Sequence, residues 1–242
     1  MKFGVVIPCA NEIRFLPAVV EQVMKVADRG LILRSNHPFS RDVEAEIVLQ
    51  PFPTIADPRV EVVLGSWKNE ACVRNAGIER LAEEGCDYIF TIDSDEIFLD
   101  EDFEYLRTLC LRGTHRAIGT RLYTYWKTPL YRIDPPEFLV APMVVRSDVR
   151  YINERRVPDG VMELARPWCH HLSYVRTDEE MQSKLKFFHH AHEIRPNWFE
   201  SVWKRWDEDR MLENLHPVFP PHFQRAVCAS NPYFLDVLSR HV

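Results

Sequence analysis

No stretch of the 242-residue chain approaches the ~20 consecutive apolar residues that a membrane-crossing helix needs. The apolar run within residues 1–8 is too short for a signal peptide, and Pro8 ends it. No Cys-x-x-Cys pair occurs, since the six cysteines stand singly at 9, 72, 86, 110, 169 and 228. A chain of this length buries roughly three quarters of its unfolded surface, so its core needs no covalent staples. Isolated thiols therefore point to reduced cysteines and a cytoplasmic setting. A surplus of positive charge is also missing: the formal net charge is −6. That argues against a nucleic-acid binder, although a local basic groove on an acidic surface stays open. Neither an internal repeat nor a low-complexity tract is present. The His-Glu-x-x-His spacing of one class of zinc hydrolase is absent.

What is present is an alternation of short apolar runs with helical patterns. Residues 3–7 (Phe-Gly-Val-Val-Ile) read as a strand buried on both faces, followed by a loop over 8–12. Residues 13–28 carry Phe15, Val19, Val23 and Val26 at helical spacing, and Gly30 follows as the stop. Strands are predicted at 31–33, 47–49 and 60–64, a second helix at 66–84, and a strand at 87–92 rich in β-branched and aromatic residues. This order predicts an α/β fold with a largely parallel sheet. Beyond residue 115 the pattern changes. Strands are predicted at 117–125 and 138–146, possible antiparallel partners, and helices from 177 onward, with prolines 129–142 and 217–221 marking irregular loops. The organisation reads as one structural domain in three parts: 1–115, 116–176 and 177–242.

Asp93-Ser94-Asp95-Glu96 follows the strand at 87–92 directly. The carboxyl end of a parallel strand is where α/β sheets bind ligands. If extended geometry persists for two residues, Asp93 and Asp95 point the same way. Two adjacent carboxylates repel unless a cation lies between them, and Mg²⁺ or Mn²⁺ suits oxygen ligands and phosphates. The alternative is an acidic helix start. On the second helix Arg74 and Asn75 fall on the apolar stripe of Ala71, Ile78 and Leu81. A buried arginine requires an anion, either the acidic loop or a ligand phosphate. Gly77 allows the helix to approach the sheet closely.

Three pieces together resemble family 2 glycosyltransferases of the GT-A fold: Val5-Val6-Ile7-Pro8-Cys9-Ala10-Asn11-Glu12, Arg74-Asn75-Ala76-Gly77 and Asp93-Ser94-Asp95-Glu96. Their order and spacing both fit, and the resemblance is specific over residues 1–100. It implies a nucleotide-diphosphate sugar as donor, a UDP-sugar favoured, and inversion at the anomeric carbon. Pro8, Asn11 and Glu12 would lie against the nucleoside, Arg74 and Asn75 near the diphosphate, and Asp93 and Asp95 at a Mn²⁺ or Mg²⁺ ion. Where many relatives carry an acidic residue after the second strand, this chain reads Arg34-Ser35-Asn36-His37. The acceptor defaults to a saccharide hydroxyl, with a peptide side chain or a hydroxymethylated phage DNA base also open.

Five of the ten histidines lie between 170 and 192. The resemblance makes His171 the third metal ligand and sets Arg176 and Lys184 over the phosphates. Thr177 and Glu180 match a capping box that starts a helix near 178. His189 and His192 share one face of that helix, as core or surface histidines. A proton acceptor for the attacking hydroxyl must be a carboxylate or histidine within hydrogen-bond reach. Glu163 and Asp159 are the candidates, set against a plain turn at Asp159-Gly160. Asn197 and Glu200 suggest a further helix start. Trp198, Val202 and Trp206 then make a packing stripe, with Trp203 left over for an acceptor site. Rival classes are a metal-dependent hydrolase, a non-catalytic nucleotide-sugar-binding module and a nucleotidyltransferase. The last would carry a glycine-rich basic loop after the first strand, where this chain has no glycine and only Arg14.

Overall fold

A computed structural model describes residues 1–37, 47–187, 191–210, 212–218, 223–229 and 232–239. At its centre lies β1 (Phe3–Cys9), buried along its whole length and flanked in parallel by β2 (Arg29–Ser35) and β4 (Tyr88–Thr91). Beyond β2 runs β3 (Val60–Gly65), also parallel. β1 alternates between two cores. Phe3, Val5 and Ile7 pack with α1 (Leu16–Val23) and α3 (Asp100–Leu111). Val6 packs with α2 (Glu70–Glu83). A β-carbon on Gly77 would stand 2.6 Å from Val6 Cγ2, so the close approach of α2 to the sheet requires glycine.

On the other side of β4 the sheet turns antiparallel. β8 (Val140–Arg146) pairs with β4, β6 (Ala117–Trp126) with β8, and β7 (Thr128–Asp134) with β6. β10 (Arg225–Cys228) closes that edge against β7. The 13-residue β9 (Met162–Tyr174) runs parallel to β6 and antiparallel to the two-residue β5 (Glu96–Ile97). The result is the α/β arrangement expected, with a mostly parallel half carrying the acidic loop. Helices α4 (Asp178–Phe187) and α5 (Pro232–Ser239) complete the regular elements. No helix among the described residues is long and apolar enough to cross a membrane. All six cysteines are unpaired.

Several expectations are corrected. The first helix is shorter than 13–28, because the Asp28 carboxylate accepts from the Phe3 amide at 2.8 Å and draws the chain into β2. Residues 47–49 are not a strand. Side chains take their backbone groups instead: Asn11 Nδ2 donates to Val48 O at 2.9 Å, and Arg34 Nη2 to Gln50 O at 2.6 Å. The second helix begins at Glu70, with Asn69 Oδ1 accepting from the Cys72 amide as its N-cap. The stretch 129–134 is strand, not loop, and the segment after 177 is helical only in part, since it also supplies β10. Thr177 and Glu180 do form the capping box reciprocally, at 2.8 and 3.2 Å. Asn197, by contrast, sits at φ 58° and starts no α-helix; a π-helical turn follows over Phe199–Trp203.

Candidate active site

The chain leaves β4 at Thr91 and turns at residues 94–95, with the Glu96 amide donating to Asp93 O at 3.1 Å. Extended geometry does not persist, and Asp93 and Asp95 meet different direct partners. The β5–β9 pairing then does the positioning. Glu96 lies opposite His171, and the Leu172 amide donates to Asp95 O at 2.8 Å. This sets His171 Nε2 3.9 Å from Asp95 Oδ1, while Arg176 Nη2 stands 3.6 Å from Asp95 Oδ2.

Asp93 has a different environment. Its Oδ1 accepts from Arg74 Nη2 at 2.8 Å and its Oδ2 from Arg155 Nη1 at 3.1 Å. Arg155 also grips the fully buried Glu96 carboxylate through both terminal nitrogens. Burial pushes the Asp93 carboxyl upward, but the guanidiniums of Arg74 and Arg155 override it and hold the group at about 2. Arg74, only 1% exposed, has thus found the anion its place on the stripe demanded, and that anion is the acidic loop itself. Each Asp93 oxygen thus accepts one guanidinium bond, and Asp93 braces the loop.

Asp95 lines an open cleft. Asn11, Glu12, Arg14, Arg176, Glu180 and Lys184 are among its lining residues. The cleft is roofed by residues 47–50, held down by Asn11 and by Arg34, whose guanidinium also lies over the Phe52 ring. At the mouth Arg14 Nη1 meets Glu180 Oε2 at 3.4 Å. Lys184 donates to Ser173 O at 3.1 Å and to Ser173 Oγ. Burial, reinforced by Arg176, pushes its ammonium down to about 8.

Of the predicted site residues, the structure gathers Asn11, Glu12, Asp95, Arg176 and Lys184 in this cleft, with His171 beside Asp95. Pro8 lies inside β1, paired with Leu33. Asn75 binds the Tyr151 backbone through both amide atoms, at 2.9 and 2.8 Å, and so latches two segments together. Glu163 is eight residues before His171 on β9, roughly 25 Å away at ~3.3 Å per residue. It is exposed and pairs with His115 at 3.0 Å. Asp159, 87% exposed, pairs with Arg156. Neither is brought to the cleft. Trp203 is fully buried, its Nε1 donating to Asp178 at 2.8 Å, and is not free for an acceptor. His170 is buried against Tyr125 and Phe234, and burial pushes its imidazole down to about 4. His192 lies on a 3₁₀ turn beside Glu193, while His189 and His190 lie outside the described residues.

The sequence reading gave Arg34 and Glu180 no place in the cleft and passed over Arg155. Arg155 gave no one-dimensional signal, because its segment has no periodicity. Arg34 was visible as the departure at the end of the second strand, but its role depends on where residues 47–52 fold.

Which residues would fit a cation is decided by the donor set. Among the described residues no three His, Cys, Asp or Glu side chains converge as a closed cage. Asp95 and His171 offer one carboxylate and one imidazole at a spacing that suits ligands of one ion, with further positions left for phosphate oxygens.

The family described as Glycosyl transferase family 2 matches residues 4–168. No curated protein matches. Among solved structures, Staphylococcus aureus TarS is 9% identical, over 77% of this chain and 38% of that one, with a TM-score of 0.42. A putative nucleotide-diphospho-sugar transferase from Desulfovibrio desulfuricans G20 is 8% identical, over 76% and 88%, with a TM-score of 0.42. A 4-diphosphocytidyl-2C-methyl-D-erythritol synthase from Anaerococcus prevotii DSM 20548 is 12% identical, over 75% and 93%, with a TM-score of 0.41. The chain spans about two fifths of the length of TarS.

Proposed function

The chain belongs to glycosyl transferase family 2, and on that premise we propose that it moves a sugar from a nucleoside diphosphate to an acceptor hydroxyl, with inversion, using a divalent ion held by Asp95 and His171. The observation that carries this reading is the pairing of those two donors at a cleft lined by Arg176 and Lys184. A carboxylate alone would repel a diphosphate; a carboxylate and an imidazole beside two cations form a site for one. An imidazole in the set favours Mn²⁺ over Mg²⁺, which prefers all-oxygen ligands. When bound, the ion supplies Lewis-acid neutralisation of the departing diphosphate.

The chain's own residues do the rest. Arg176 and Lys184 offer fixed positive charge to the phosphates, costing little reorganisation because Ser173 already orients both. Asn11 and Arg34 hold the 47–50 segment over the inner end of the cleft, where a uracil and ribose would be shielded from water. Glu12 offers a carboxylate to ribose hydroxyls. Arg74 and Arg155, by clamping Asp93, fix the turn on which Asp95 sits.

Melting curves with a panel of nucleotide sugars, with and without Mn²⁺, test the donor. A ligand at 100 times its Kd stabilises by about 2.7 kcal/mol, or roughly 5–10 °C for a domain of this size. Metal-dependent stabilisation by a UDP-sugar, with slow release of free UDP, is expected. Stabilisation without UDP release would favour a binding module, and no metal-dependent shift for any donor would refute the assignment.

A further inference from the structure

Two residues behind His171 are not used by this reading. Thr124, fully buried on β6, is the register partner of His171 on β9. Its Oγ1 lies 3.3 Å from His171 Nδ1 and donates to Oε1 of Glu137, in the loop between β7 and β8. A threonine hydroxyl has a single proton, and a carboxylate can only accept one. The Thr124 proton is therefore directed to Glu137. What Thr124 then presents to His171 is a lone pair, so Nδ1 must carry the ring proton. In a neutral imidazole this leaves Nε2 bare, and Nε2 is the nitrogen that faces Asp95 Oδ1.

We infer that Glu137, acting through Thr124, locks His171 in its Nδ1–H tautomer and so prepares Nε2 to ligate a divalent cation. The inference rests on the reading of Asp95 and His171 as cation ligands. Glu137 is a positioning residue: it touches neither donor nor acceptor. Its effect runs along a carboxylate–hydroxyl–imidazole line, and loss of such an outer partner typically weakens metal binding about 10- to 100-fold. Glutamine at 137 can donate as well as accept, so Glu137→Gln removes the direction of the line while keeping its shape. Thr124→Val removes the link itself.

The test uses the full chain with ¹⁵N-labelled histidine. Long-range proton–nitrogen correlation in the metal-free protein should show His171 as the Nδ1–H tautomer, and as a mixture in Glu137→Gln. Free Mn²⁺, followed by electron paramagnetic resonance in the presence of UDP, should show affinity lowered about 10- to 100-fold in Glu137→Gln and Thr124→Val. An Nε2–H tautomer or an imidazolium in the wild type overturns the inference. So does Mn²⁺ affinity unchanged within about twofold in Glu137→Gln, while the wild type binds the ion well. A wild type that takes up no Mn²⁺ with UDP overturns the cation reading of the cleft and this inference with it.

Discussion

Replacing Asp93 by asparagine keeps the shape of the side chain and removes the charge that two guanidiniums share. A carboxyl held at about 2 rather than at 3.8 contributes about 2–3 kcal/mol to the folded state at neutral pH. Stripping one partner from a fully buried pair typically costs more, ~3–5 kcal/mol. Asp93 keeps 27% exposure, so the lower figure applies. For a domain of this size that corresponds to a melting point lower by roughly 5–10 °C. The pH dependence has a definite sign. Because the folded value lies below the unfolded one, the stabilisation is complete above about pH 4 and is lost as pH falls towards 2. Urea unfolding of wild type and variant should therefore show a gap that is constant between about pH 7 and pH 5 and narrows near pH 3. Asp95→Asn should cost less, since its pairs with His171 and Arg176 are looser, at 3.9 and 3.6 Å. Equal stability of Asp93→Asn and wild type at neutral pH would refute the brace, and a gap that persists undiminished at low pH would assign it to packing.

Lys184 should tie donor binding to pH: its ammonium loses its proton near pH 8, so UDP affinity measured by calorimetry should fall as pH rises through about 8. Lys184→Met should bind UDP more weakly and with no inflection there, and a flat wild-type profile would contradict the role. Arg34→Ala removes the bonds to Ala10 O and Gln50 O, at 3.2 and 2.6 Å, and the contact over Phe52. It should cost about 1–3 kcal/mol of stability in urea and speed proteolysis around residues 47–52, whereas unchanged cleavage would show that the segment is held otherwise. Glu163→Gln and Asp159→Asn should leave turnover within about twofold, as expected of exposed side chains remote from a site; a hundredfold loss in either would return it to the proton-transfer role.

The parallel half of the fold was legible because burial on both faces leaves a strong trace. The run at 3–7, the stripe of α2 and the run at 87–92 each had one sensible reading. Arg74 was legible as a buried charge in need of an anion. Its anion was not, because the turn at 94–95 that gives Asp93 to Arg74 and Arg155 and sets Asp95 beside His171 depends on β9, a strand hidden in a polar, histidine-rich segment. The same segment concealed the distance between Glu163 and His171: sequence proximity suggested one neighbourhood, and a 13-residue extended strand separates its ends. Strands β7 and β10 went unread for a different reason. β10 stands at the sheet's edge and β7 next to it, and the half-exposed residues of both show little periodicity. Trp203 was read as surplus to its stripe, yet it fills the core around Trp126 and Trp198.

The account depends on where a divalent ion sits when a nucleoside diphosphate fills the cleft. Crystals grown with Mn²⁺ and UDP, measured at the manganese absorption edge, locate it directly. One anomalous peak within bonding distance of Asp95 and His171 Nε2, with Asp93 still bound to Arg74 and Arg155, is the predicted result. A peak on Asp93, or UDP ordered in the cleft with no manganese beside Asp95, would contradict it.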